Sequence, residues 1–178
     1  SGLIIDILNA KTMEAVFRLL QGCSFLGSFL AYQYTIDMNY SPYINFSEND
    51  FVKAGIGAIR GIKKCFLCYG NKCEDAIWYV KEHFNDLLKR YGYTSFHPLP
   101  GHEPTLIDLQ NCFCETDKYL RAKMPELRIG NVRIKQKYMP HTDPIQFFFP
   151  PKWNIVEMYK YKPIVVPTLF DFMKLKRK

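Results

Sequence analysis

The sequence predicts a mostly helical protein that ends in an extended, basic C-terminal arm. Apolar residues recur at helical spacing as far as residue 124, whereas seven of the 11 prolines lie at residue 125 or later. Residues 1–120 carry 11 basic and 13 acidic side chains, and residues 121–178 carry 13 and 4. With 178 residues, of which 48% are hydrophobic, the chain can build one packed core and is not intrinsically disordered. We therefore expect a helical domain over residues 1–124 and an arm over residues 125–178 that packs on the same domain.

The N-terminal third is predicted to form two helices. Thr12 can cap a helix whose apolar face is formed by Met13, Val16, Phe17 and Leu20. Gly22 then breaks the chain. The next segment, from Phe25 to Met38, is apolar almost all round, which is typical of a helix at the centre of a bundle.

A helix–glycine–helix pattern follows. Ser47 with Asp50 resembles a capping box and predicts a helix that starts near Ser47. The sequence Gly55-Ile-Gly57 then predicts a tight turn, with a second helix through Ala58–Tyr69. Such a turn leaves N–H groups uncovered at the start of a helix, where the dipole favours an anion. We predict that DNA phosphates are bound here, by Gly55, Gly57, Arg60, Gly61, Lys63 and Lys64. The alternative is an ordinary helix corner whose basic side chains face solvent.

The last predicted helix carries a polar face. An amphipathic helix is predicted over Glu74–Tyr91 and ended by Gly92; Thr105 with Asp108 then begins a helix that continues to about Ala122. Asp108, Asn111, Glu115 and Lys118 are spaced so that they share one face of it, with Tyr119 beside them. Carboxylates beside an amide and a lysine can perform acid–base chemistry or read the hydrogen-bonding edge of a base. The alternative is a solvent-facing stripe that Glu–Lys pairing stabilises.

The cysteine spacing and the hydropathy pattern bear on two questions: whether the protein binds a metal and whether it spans a membrane. The spacing Cys65-x2-Cys68-x4-Cys73, with a histidine as a fourth ligand, suggests zinc, but no second C-x-x-C completes a common zinc site. The alternative is that these cysteines are small buried residues of a helix. We predict no metal and no cofactor. There is no signal-peptide pattern and no apolar run of about 18 residues. We expect an intracellular protein with reduced thiols and no membrane partner, in the nucleus of a eukaryote or otherwise in the cytoplasm or nucleoid.

The arm interleaves basic residues with aromatics. Arg133 and Lys135 lie near Tyr138, and Phe147–Phe149 and Trp153 follow. This pattern suits the backbone and bases of a nucleic acid, so Arg133 and Lys135 are predicted to contact DNA phosphates. The Phe run is expected to pack on the helices instead.

Several segments, in a particular order, resemble one family. They are Phe29-Leu-Ala-Tyr-Gln33, Asp37-Met-Asn-Tyr-Ser41, Phe46-Ser-Glu-Asn-Asp-Phe51, Ala54-Gly-Ile-Gly-Ala-Ile-Arg-Gly61 and Asp108-Leu-Gln-Asn-Cys-Phe-Cys-Glu-Thr-Asp-Lys-Tyr119. Together they are similar to the helical domain of 5-hydroxymethyluracil DNA kinases and the related glutamyl/putrescinyl-thymine pyrophosphorylases, over roughly Leu19–Lys123. The resemblance implies a DNA-glycosylase-like bundle with a helix-hairpin-helix that holds duplex DNA with a modified pyrimidine flipped out.

The resemblance also implies roles for individual residues. Asp108, Glu115 and Lys118 would be catalytic, while Asp37, Asn39, Asn111 and Tyr119 would line a base pocket. Ile56 stands where this hairpin is expected to have proline, and no kinase module accompanies the domain. A separate kinase, or a catalytic domain of a longer protein, would supply phosphorylation.

The expected function is recognition, with modification, of a 5-hydroxymethyl pyrimidine in DNA by a transferase of base hypermodification. Asp108 or Glu115 would assist group transfer at the hydroxymethyl carbon, with Lys118 orienting charge. The alternative is a catalytically inactive nucleic-acid or protein interaction module with the same fold.

Overall fold

The computed structural model describes residues 2–99, 101–128, 142–143 and 149–155. Within these ranges the chain forms seven α-helices and no β-strand, which confirms the predicted helical class. The helices are α1 (Gly2–Asn9), α2 (Met13–Gln21), α3 (Ser28–Asn39), α4 (Ile56–Cys65), α5 (Cys73–Glu82), α6 (Phe84–Arg90) and α7 (Leu106–Lys123). Short 3₁₀ turns follow at Pro125–Leu127 and Pro151–Trp153. Most of the C-terminal arm, with Arg133 and Lys135, lies outside the described residues.

Local capping chemistry correctly predicted α2 and α7. The Thr12 hydroxyl accepts a hydrogen bond from the Ala15 N–H, and the four predicted apolar residues of α2 are buried. At α7, Thr105 and Asp108 form the predicted capping box, and the helix ends at Lys123, one residue beyond the prediction. The predicted helix Glu74–Tyr91 is divided at His83 into α5 and α6, and Gly92 follows it with a φ of +78°.

The prediction for α3 is wrong at its start and in its position. Phe25 has a φ of +67° and a fully exposed ring, so the helix begins only at Ser28, after Gly27. Ala31, Tyr32 and Ile36 face the core, whereas Phe29, Leu30 and Tyr34 on the other side are exposed. The helix therefore packs on the side of the bundle rather than running through its centre.

The helix predicted to start at Ser47 does not form. The Ser47 hydroxyl accepts from the Asn49 N–H at 3.2 Å, which closes a local turn, and residues 51–55 then run in a non-helical path into α4. Only the second helix of the predicted pair is present, over Ile56–Cys65 rather than Ala58–Tyr69, so the helix-hairpin-helix is not confirmed.

Tertiary contacts account for the non-helical path of residues 51–55. It buries the side chains of Val52 and Ala54, and the Glu74 carboxylate of α5 accepts from the Ala54 N–H at 3.1 Å and from Lys53 Nζ at 2.6 Å. Burial alone would raise the pKa of Glu74, but these hydrogen bonds together lower it below its ordinary value. Glu74 is therefore an ionised anchor for the segment that leads into α4.

Helices α4 and α7 pack at the centre of the structure because two glycines let their backbones approach closely. A Cβ built on Gly57 would lie 2.4 Å from Cys114 Sγ, and one built on Gly61 would lie 2.0 Å from the carbonyl oxygen of Phe113. Real Cβ atoms do not come this close; at Gly61 the Cβ meets backbone, so no larger residue fits without moving α7, whereas at Gly57 it meets the side chain of Cys114, which would have to rotate.

We predict that Gly61→Ala lowers the free energy of unfolding by about 3 kcal/mol or more, because the new methyl group meets backbone that cannot rotate away. Gly27→Ala is the control: Gly27 is the residue that precedes α3, and a Cβ there meets nothing within 4 Å. Urea denaturation measures both. Equal losses in the two variants would contradict the close approach of α4 and α7.

Candidate functional site

The outer face of α4 presents two cations to solvent. Arg60 is half-buried and Lys63 is exposed, and within the described part of the chain neither forms an ion pair or a hydrogen bond. The helix begins after Gly55, which provides no side-chain cap for its first N–H groups. This face therefore combines unneutralised positive charge with an uncapped helix start, as a phosphate site requires.

Lys64 lies on the other side of the same helix. Its Nζ is 2.7 Å from Asp117 Oδ1, and the two side chains are only 3% and 2% exposed. Arg121 Nε lies 3.0 Å from the other carboxylate oxygen of Asp117. The prediction that Lys64 binds phosphate is therefore wrong, because its charge is neutralised between α4 and α7. Gly57 and Gly61 face α7, so both allow close helix packing; that they also bind phosphate stays a prediction.

The predicted polar face of α7 is present and open to solvent. Asn111, Glu115, Lys118 and Tyr119 are exposed. Glu115 and Lys118 form an ion pair, and the hydrogen bond to Glu115 raises the pKa of Lys118. The geometry of these two residues is that of the solvent-facing alternative.

Asp108 differs from the rest of that face because it is tied into a folded corner. Its Oδ2 accepts from the Thr105 N–H and hydroxyl, each at 2.8 Å, and lies 3.2 Å from His102 Nε2. No hydrogen bond to its Oδ1 is found among the described residues. One carboxylate oxygen thus holds the helix cap, and the other is available to a ligand.

A tryptophan from the C-terminal segment completes this corner. The indole of Trp153 stacks on His102, with ring centroids 3.6 Å apart, and its Nε1 donates to Glu48 Oε2 at 2.8 Å. Tyr40 meets the same indole edge-on. Burial and the nearby Glu48 carboxylate raise the pKa of Tyr40, so its phenol is neutral. We call His102, Asp108, Trp153, Glu48 and Tyr40 the Trp153 cluster.

The residues of the predicted base pocket are divided between α3 and α7. Asn39 is fully buried, and its amide pairs with both the N–H and the carbonyl of Phe46, at 2.7 and 3.1 Å. Lys152 Nζ donates to the carbonyls of Asn39 and Phe46. The prediction that Asn39 reads a base is therefore wrong, since its amide holds a loop. Asp37 is exposed on α3, while Asn111 and Tyr119 lie on α7.

Sequence reasoning missed the contact between Glu48 and Trp153. They meet across 105 residues of chain, and no local spacing could indicate that contact. The one available signal was that Trp153 is one of only two tryptophans in the chain.

The cysteines form no metal centre in the described part of the chain. No group of three or more His, Cys, Asp or Glu side chains there could hold a metal ion. All six cysteines are free, and burial raises the pKa of Cys65, Cys73, Cys112 and Cys114, which keeps these thiols protonated. Cys65 and Cys68 are exposed, unlike the small buried residues of the alternative interpretation.

The comparison with known protein families agrees with this helical fold. The fold and the surface define an all-helical domain with a cationic outer helix. The chain belongs to the family described as "5-hmdU DNA kinase, helical domain", whose family model matches residues 1–129. This confirms the family that the sequence segments predicted. Searches of the curated proteins and of the solved structures found no match. Among the described residues, no helix has the length and apolarity needed to cross a bilayer.

We predict that Asp117→Asn lowers the free energy of unfolding by about 3–5 kcal/mol, because it leaves the buried Lys64 without its counter-charge. Glu115→Gln is the matched control on the same helix: it breaks an exposed Glu–Lys pair and is expected to cost less than about 1 kcal/mol. Urea denaturation compares them. A loss for Asp117→Asn as small as that of the control would show that the Lys64–Asp117 pair is not buried.

We predict that Trp153→Phe lowers the free energy of unfolding by about 1.5–3 kcal/mol, since the ring stack survives but the carboxylate of Glu48 loses its N–H donor. Trp78→Phe serves as the control, because its indole N–H makes no hydrogen bond within the described residues. Thermal and urea unfolding measure both variants. If Trp153→Phe is no more destabilising than Trp78→Phe, the hydrogen bond to Glu48 is not formed.

Proposed function

We propose that the chain is a DNA-binding domain that recognises a 5-hydroxymethyl pyrimidine and takes part in its modification. The observation that carries the proposal is the family match over residues 1–129, since the family is that of a kinase acting on 5-hydroxymethyldeoxyuridine in DNA. The net charge of +7 and the unpaired cations on the outer face of α4 support a polyanionic partner.

The DNA backbone is assigned to the start and the outer face of α4. Arg60 and Lys63 lie about one helical turn apart, and the N-terminus of the helix at Gly55 adds its dipole to their charge. Arg133 and Lys135, which lie outside the described residues, belong to the same proposal as further phosphate contacts. Gly57 and Gly61 belong to it through their backbone N–H groups only, and Lys64 is left out because Asp117 neutralises its charge.

The chemistry is assigned first to Asp108. Once a separate kinase or a catalytic domain of a longer protein has phosphorylated the hydroxymethyl oxygen, Asp108 Oδ1 can take the proton of a nucleophile that attacks the hydroxymethyl carbon; the C–O bond then breaks, and the phosphate group leaves with its electron pair, while His102 and the helix cap hold the carboxylate in place. Lys118, on the same helix face, would orient the negatively charged leaving group. Glu115 is the second candidate base, on the exposed part of that face.

A binding module without catalysis is the second candidate function, and two observations favour it. Glu115 and Lys118 neutralise each other on an open surface, and one oxygen of Asp108 is already used to cap α7. In this case the domain would position DNA for a separate kinase or for a catalytic domain of a longer protein.

A fluorescence-anisotropy titration tests the proposal with two duplexes that differ by a single thymine replaced with 5-hydroxymethyluracil, at low and moderate salt. We expect tighter binding to the modified duplex, with a preference that persists as salt rises, because a base contact does not depend on counterion release. The double variant Arg60→Gln/Lys63→Gln should bind both duplexes more weakly and reduce the salt slope by about 2, roughly 0.9 per phosphate contact.

Lys89→Gln is the control for that double variant, because Lys89 is an exposed lysine on α6, away from the outer face of α4. Equal binding of the two duplexes that weakens steeply with salt would favour the binding module. Absence of binding to either duplex would contradict both candidate functions.

A further inference from the structure

A cavity of about 480 Å³ lies between the segment that follows α4 and the helices α5 and α6. Four of its ten lining residues are aromatic, and one arginine and one carboxylate join them; these six are Phe66, Tyr69, Tyr79, Tyr91, Arg90 and Asp75. It shares none of its lining residues with the outer face of α4 or with the Trp153 cluster. Its size is within the range of small-molecule sites in proteins.

The walls of this aromatic cavity are held by neighbouring structure. Phe66 packs edge-on against Phe113 of α7, with ring centroids 5.9 Å apart, and Tyr79 stacks on His83 at 4.3 Å. Behind the cavity, Asp75 Oδ2 accepts from two backbone N–H groups of the loop before α5, at 2.9 and 3.1 Å. These contacts fix the positions of Phe66, Tyr79 and Asp75 in the wall of the cavity.

The charged side chains of the cavity indicate which kind of aromatic ligand it can bind. Arg90 forms no ion pair or hydrogen bond within the described residues, so its guanidinium is available to an anion. The Asp75 carboxylate accepts two loop N–H groups at Oδ2, which offset part of its negative charge. An ammonium ligand, which aromatic cages also bind, would lie beside an unpaired arginine and is disfavoured. The walls and the charge together suit an aromatic ring that carries a negative group.

We propose that the aromatic cavity binds a nucleotide, with its base against the tyrosines and its phosphate at Arg90. Base–aromatic stacking of this kind accepts any base, because every base has a π-face. The nucleotide belongs either to a DNA strand, in which case the inference rests on the proposed function, or to a free nucleoside monophosphate.

The position of the cavity is compatible with a strand that also contacts α4. Lys63, on the outer face of α4, lies three residues before Phe66, which lines the cavity. A strand held at Lys63 would thus have the cavity close by.

Titration of the full chain with dTMP, thymidine and a single-stranded oligo-dT tests the inference, by calorimetry for the small ligands and by anisotropy for the oligonucleotide. Tyr91→Ala removes one wall, and Tyr93→Ala is its matched control, since these tyrosines are 68% and 66% exposed and only Tyr91 lines the cavity. Arg90→Gln removes the cation, with Lys89→Gln as its control. Circular dichroism verifies that each variant is folded.

We expect Tyr91→Ala to weaken binding by about fivefold or more, as the loss of one stacking partner does, while Tyr93→Ala leaves it unchanged. Arg90→Gln should weaken dTMP binding and leave thymidine binding unchanged, because thymidine has no phosphate. If only oligo-dT shows these losses, the nucleotide is part of a strand. If dTMP shows them as well, the cavity also accepts a free nucleotide.

Affinities that do not change in Tyr91→Ala and Arg90→Gln, or no binding of dTMP and oligo-dT at all, would overturn the inference. Duplex binding that depends on Arg60 and Lys63 but not on Tyr91 would overturn the cavity proposal and leave the proposed function standing. Conversely, absent DNA binding together with dTMP binding that depends on Tyr91 would remove the proposed function and retain the cavity as a nucleotide site.

Discussion

The close approach of α4 and α7 at Gly57 and Gly61 is the contact on which the rest of the structure depends. Because neither glycine has a side chain, the two backbones meet directly, and the side chains on either side of the contact are fixed by it. It brings Lys64 within 2.7 Å of Asp117 and sets Phe66 against Phe113. Gly57 and Gly61, which the sequence pattern assigns to a phosphate-binding turn, thus determine which face of α4 remains exposed to a partner.

The adjacent residues Lys63 and Lys64 show how this contact divides charge between the interior and the surface. Successive residues of an α-helix point about 100° apart, so one of two neighbouring lysines can face α7 while the other faces solvent. Lys64 is held by Asp117, and Lys63 is exposed. The positive charge available for a polyanion is consequently smaller than the sequence suggests, and it is confined to one side of the helix.

The structure of a segment could be predicted from the sequence where residues close along the chain determine it, and could not where tertiary contacts determine it. Caps at Thr12 and Thr105 correctly predicted α2 and α7, since cap and helix lie within four residues of each other. Ser47 carried an equally good signal and failed. The carboxylate of its neighbour Glu48 instead accepts from Trp153, 105 residues away, and Asn39 of α3 pairs with the Phe46 backbone, so tertiary contacts fix a turn there. The position of Asp108 in the capping box of α7 was predicted correctly, but its contact with His102 was not predicted.

The segment around Trp153 lies beyond the family match, yet it contacts residues within it. The match ends at residue 129, whereas Lys152 reaches the carbonyls of Asn39 and Phe46, and Trp153 covers one face of His102 beside Asp108. The environment of Asp108 is therefore built jointly by the family domain and by a part of the chain that the family model does not describe. Because the indole also donates to the buried Glu48, movement of Trp153 away from His102 would leave that carboxylate without this donor. The surroundings of Asp108 consequently depend on the position of the C-terminal segment, and inference from the family alone would miss that dependence.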